Sequence, residues 1–230
     1  MKELLFLLAD VWMIYAGFSC GWKFIRRYGN YLLGLEWIVV GTSGSNFLLW
    51  SLLGGDESSP LYWLAYFFDA FSRSVGVTLI LMLGLLRVTN RYHPSRTTDI
   101  GVFVLATAAG LYLQQFHHEF HAGPATFYLV VGLLTAVFAF WFAMRLWWAG
   151  ERREAIAMAL ATAAGLAIVI VYDFFPIPGD DEYRTTFYTL ALATWGTQMF
   201  VTYHAYRALH AHNVFMGIEP PLNRRADARA

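Results

Sequence analysis

An acid and a base stand four residues apart inside a long apolar run, Phe67-Phe68-Asp69-Ala70-Phe71-Ser72-Arg73-Ser74. On a helix Asp69 and Arg73 share one face, with the acid on the N-terminal side, the better order for a pair. At bilayer depth an arginine is costly unless it is paired or hydrated. The chemistry open to such a pair is ion coupling. Protonating Asp69 releases Arg73, and an anionic substrate can replace the carboxylate.

Other polar side chains interrupt apolar runs at comparable depth. At about 1.5 Å of rise per residue, Asp10 comes out roughly 9 Å below the outer surface, and Asn46 and Asp69 roughly 12 Å. Ser43 and Thr194 follow at about 15 Å, Arg73 at about 18 Å and Gln198 at about 21 Å. These seven residues are expected to form one polar layer that binds a substrate or couples an ion. Thr194, Gln198 and Thr202 repeat at a spacing of four, which makes one polar stripe on a helix. Glu36 and His204 fall near the opposite surface and Asp173 near the outer one, so these three are gate candidates.

A histidine-rich stretch, His117-His118-Glu119-Phe120-His121, precedes Gly123-Pro124. If the preceding helix continues through it, His117 and His121 lie one turn apart and could hold a zinc ion together. The spacing is not the protease signature, which needs two residues between the glutamate and the second histidine. No cofactor is expected from the sequence other than this zinc. Cys20 is the single cysteine, so no disulfide forms within the chain, and it reads as a small packing residue.

Elements that position these residues follow from composition. The chain has 230 residues, 58% hydrophobic and 14% charged, against roughly 25% charged in a soluble domain. Seven apolar runs, at 4–22, 31–54, 61–86, 100–116, 125–148, 155–175 and 185–208, each approach the roughly 20 residues that cross a bilayer. All seven prolines lie between or beyond these runs, where proline marks helix starts and stops. The fold class is therefore all-α: a polytopic membrane protein with seven transmembrane helices in residues 1–212. Residues 213–230 are expected to be a short, disordered cytoplasmic tail.

Thirteen basic residues fall in the loops after runs 1, 3 and 5 and at or after the end of run 7, from Lys23 to Arg229. The alternate loops carry Asp56, Glu57, Glu119, Asp180, Asp181 and Glu182, with Arg184. The positive-inside rule then places the N-terminus outside and the C-terminus in the cytoplasm. The first run does not read as a cleaved signal peptide, because Lys2 is offset by Glu3 and the basic cluster follows the apolar stretch. Helices 1 to 3 and 5 to 7 repeat one layout of span and loop charge, a pattern known from transporters.

The expected function is a transporter or channel-like protein moving a small solute or ion between helices 1, 2, 3 and 7. The alternative is a seven-helix receptor or sensor. Lysine occurs only at positions 2 and 23, so the seventh helix offers no retinal Schiff base, and such a sensor would signal through a separate partner. A metal-dependent intramembrane hydrolase using the outer histidines and Asp173 is the third reading, and the chain is expected not to be an enzyme. Its partners are the lipid bilayer and a small-molecule or ion substrate, with a homo-oligomer admitted and nucleic acid excluded. Its expected location is a bacterial cytoplasmic membrane.

Overall fold

A computed structural model describes residues 2–117, 119–181 and 183–219. It is all-helical. Seven long helices run α1 (Lys2–Tyr28), α2 (Tyr31–Leu52), α3 (Pro60–Asn90), α4 (Arg96–Phe116), α5 (Ala122–Trp148), α6 (Arg152–Phe174) and α7 (Thr185–Phe215). The first six are long and apolar enough to cross a membrane. Helix α7 has 31 residues and carries threonines, Gln198 and histidines along its length.

Local sequence explains the ends. The side chain of Asn30 caps α2 by accepting from the Leu33 amide, and Ser59 caps α3 in the same way from Tyr62, with Pro60 in the first turn. Ser95 caps α4 through Thr98. The start of α7 is held by two aspartates: Asp180 accepts from the amides of Thr186 and Phe187, each at 2.9 Å, and Asp181 from Thr185 at 2.9 Å. Burial raises the Asp180 carboxyl, but these amide donors outweigh it and hold the group at about 2.

Helix α1 packs between α2 and α7, while α5 packs on α6 and α6 on α7. Close approach of α1 and α2 rests on glycine: a Cβ on Gly17 would stand 2.7 Å from the Trp37 carbonyl and 2.8 Å from the Cα of Gly41. Helix α3 sits between α2 and α5 and carries α4 on its outer flank. At its C-terminal end α3 is a hub of bonds from other segments. Asn30 donates to the Gly84 carbonyl (2.9 Å), Asn213 to that of Val88 (2.8 Å) and Arg145 to that of Thr89 (3.2 Å), while Arg87 reaches the Gly29 carbonyl (2.6 Å).

The half of the bundle around that hub is a packed aromatic core. The Phe24 ring lies 5.2 Å from both Tyr203 and Tyr206 and 5.8 Å from Trp37. Leu81, Leu85, Phe142, Leu146 and Met158 complete it. The last helix runs to Phe215, beyond the expected end at 208. Residues 213–219 are not a loose tail: Ile218 and Glu219 both donate amides to the Asn213 carbonyl, and Glu219 pairs with His210. The rest of the expected tail, residues 220–230, lies outside the described residues.

Candidate functional site

Helix α3 does not run straight through its polar residues. From Ser72 to Gly76 it widens to a π-helical turn, and Ser74 leaves helical geometry altogether (φ −79°, ψ −163°). The Ser74 hydroxyl donates to the Phe71 carbonyl at 2.9 Å, which satisfies one of the backbone groups the widening disturbs. Gly76 and Gly110 let α4 close against this turn, because a Cβ on Gly110 would meet the Phe71 backbone at 3.1 Å. Arg73 is thus projected from a local irregularity of the kind that recurs at functional sites.

Its guanidinium meets two carboxylates. Nη1 donates to Asp69 Oδ2 at 3.2 Å, one turn back on the same helix, and Nη2 donates to Asp173 Oδ2 on α6. The Tyr172 hydroxyl donates to the other Asp69 oxygen at 2.8 Å. Two tyrosine rings flank the cation: its central carbon lies 3.5 Å from the Tyr172 ring centroid and 4.1 Å from that of Tyr128 on α5. The Arg73 side chain is only 14% exposed, so removing its carboxylate partners would leave a poorly solvated charge.

A second arginine stands at the rim. Arg184 precedes α7 with a left-handed backbone (φ 53°), donates to the Tyr172 carbonyl at 2.8 Å, and lies 4.3 Å from the Phe187 ring. Tyr172 is therefore the common wall of both arginines. It packs edge-on against Phe187 at 5.0 Å and is stacked with Trp195 at 6.2 Å.

The expected single layer does not form. Asp69 and Arg73 are joined by Asp173, the residue assigned to an outer gate, and not by Asp10, Ser43, Asn46, Thr194 or Gln198. Asn46 donates to the Leu61 carbonyl at 2.9 Å, in the first turn of α3. Asp69 lies eight residues further along, about 12 Å of helix. Gln198 packs against Gly165 of α6, eight residues from Asp173, and Thr202 reaches Met158 still lower. Gln198 and Thr202 of the stripe thus face α6, beneath the arginine. Thr194 and Ser43 are half-buried, and among the described residues neither is hydrogen-bonded to the triad.

Asp10 belongs to another interface. It is fully buried, and a Cβ on Gly44 would lie 2.9 Å from its Oδ1, so α2 yields the space the carboxyl fills. Glu36 is 1% exposed and does not meet His204 or the basic loops; neither acid has a hydrogen-bond partner among the described residues. The His204 ring lies 4.4 Å from that of Phe200 on its own helix. Glu36 and His204 therefore do not pair as an inner gate, and Asp173 joins Arg73 instead.

The histidine pair is not assembled either. Helix α4 tightens to a 3-10 turn at Gln114–Phe116 and stops, so His117 and His121 are not one helical turn apart. His117 Nδ1 donates to the Gln114 carbonyl (2.5 Å) and its ring lies 3.8 Å from the Tyr66 ring, whereas His121 precedes α5 beside Phe116. No three histidine, cysteine or acidic residues gather to hold a metal among the described residues. His118 lies outside them.

Tyrosine was the signal sequence reading missed. Tyr128 and Tyr172 wall the arginine, yet in a chain with 13 tyrosines among 18% aromatics nothing singles them out. Only the adjacency of Tyr172 to Asp173 could have pointed there. Two open apolar hollows, against Ile14 and Trp22 on α1 and against Met144 and Ile156 between α5 and α6, lie away from the triad. No protein-family model, no curated protein and no solved structure matches the chain.

Proposed function

We propose that this chain is a seven-span membrane protein that moves a small solute or ion, with Asp69, Arg73 and Asp173 as its coupling element. Helix α7 is the seventh span, the N-terminus faces outward, the basic loop ends face the cytoplasm, and the membrane is a bacterial cytoplasmic one. A single observation carries the reading: Arg73 links carboxylates on α3 and α6 from a widened turn of α3. Neutralising either carboxylate weakens the link between the helices, so binding or protonation at the triad changes how α3 sits on α6. Charged groups at bilayer depth are functional by default.

The test uses proteoliposomes holding a pH-reporting dye, challenged with a panel of small solutes. Wild type and Arg73→Gln are compared, each shown to be folded by its thermal midpoint. The solute-driven signal is expected to fall about tenfold or more in the variant, the scale of losing one charge-assisted contact. An undiminished signal removes the triad from the mechanism. A second reading, a sensor that responds to a ligand at the outer triad without passing it through, draws on the packed aromatic core around Phe24, Trp37, Tyr203 and Tyr206. A wild type that binds ligand but moves no solute favours the sensor.

A further inference from the structure

The surroundings of the Arg73 head have the chemistry of a receptor for a planar cation. Two carboxylates lie in reach of its nitrogens, and tyrosine faces stand 3.5 Å and 4.1 Å from its central carbon. Acids to pair the charge and aromatic faces to cover it are what desolvated guanidinium and ammonium groups need. The side chain of Arg73 is in effect a tethered occupant of that cage. We propose that the triad is an organic-cation site, taking a small molecule with a guanidinium or ammonium head, and that Arg73 fills it until the ligand arrives. The proposal rests on the solute-handling reading of the same triad and names its substrate class.

The two carboxylates are not equivalent, which gives the exchange a route. Asp69 is on the same helix as Arg73 and stays within reach whatever α6 does, and its second oxygen is already taken by the Tyr172 hydroxyl. Asp173 is contributed by α6 and holds Arg73 through one oxygen. An entering cation therefore takes Asp173 and the Tyr172 face, while Arg73 keeps Asp69. No bond is made or broken in this exchange beyond ion pairs and hydrogen bonds.

Charge outside the site favours the same class. Asp173 is followed, before α7 begins, by Asp180, Asp181 and Glu182, against Arg184 alone. The Asp180 carboxyl is held at about 2 by its amide donors, so it is ionised throughout the ordinary pH range. An acidic approach raises the local concentration of cations and lowers that of anions. The guanidinium at the centre of the site is already engaged by two carboxylates.

Methylguanidinium is the probe, acetate the control, and the full chain in nanodiscs the sample. Removing the tether in Arg73→Ala should let methylguanidinium bind in calorimetry about tenfold more tightly than in wild type, where Arg73 competes. Adding Asp173→Asn to that variant should abolish the gain. Equal binding with and without Asp173, or acetate binding in place of the cation, overturns the proposal. Should Arg73→Ala not fold, equilibrium dialysis of labelled methylguanidinium on wild type and Asp173→Asn decides: loss in the variant supports the site, and equal retention or none in either overturns it. Methylguanidinium binding without uptake into liposomes leaves the cation site standing and removes transport. Uptake of other solutes with no cation binding does the reverse.

Discussion

Asp180 shows how a single carboxylate outside the bilayer sets the start of a whole helix. Its oxygens take the amides of Thr186 and Phe187, donors that the first turn of α7 would otherwise leave unpaired, and that of Asp181 in the preceding loop. Its folded-state value, about 2, lies below the ordinary 3.8. The contribution is therefore complete above the ordinary value and is lost as pH falls from there through about 2. Amide hydrogen exchange at Thr186 and Phe187 is expected to become faster relative to the middle of α7 on going from pH 5 to pH 2.5, and Asp180→Asn to show the faster exchange already at pH 5. Equal protection in both proteins at pH 5 would show that the cap does not hold the turn. At this scale the sequence was legible for Asp69 and Arg73, because an i, i+4 pair is fixed by helix geometry alone. It was silent on Tyr128, whose role depends on where α5 passes.

Helices, by contrast, were read well in extent and poorly in relation. Apolar runs and prolines placed every helix, since both signals are local, and the structure extends most runs by only a few residues. Neighbours are not local. Depths counted from the ends of runs assume that adjoining helices end level and face each other, and both assumptions fail at Asn46, which meets Leu61 near the start of α3. On α2, Gly41 and Gly44 form a packing seam, set against Phe18 and Asp10 of α1. Gly17 faces backbone at 2.7 Å, which cannot move aside as a side-chain tip can. Gly17→Val is thus expected to destabilise the fold by about 1–3 kcal/mol through overpacking, read by steric trapping in bicelles. Gly101→Ala, at a position with nothing within 4 Å, serves as the neutral comparison.

Across the whole molecule, the proposed orientation has a direct chemical readout. An N-terminus-out arrangement predicts that Ser58→Cys reacts with a membrane-impermeant maleimide on intact cells, and that Arg153→Cys reacts only after the membrane is opened. The native thiol, Cys20, is fully buried and contributes little background. The reverse labelling pattern would invert the topology and put the triad in the inner half. The two ends of α3 differ in a way that bears on motion under either orientation. Beyond its break at Ser72–Gly76, the segment toward Asn90 is moored to the α1–α2 turn, α5 and α7 through Gly84, Arg87, Val88 and Thr89. The segment toward Pro60 is joined to α6 by the arginine clasp. Such a rod has a fixed foot, a joint and an arm held both by the arginine clasp and by the Asn46–Leu61 bond to α2, so any swing of the arm about the joint requires both to yield.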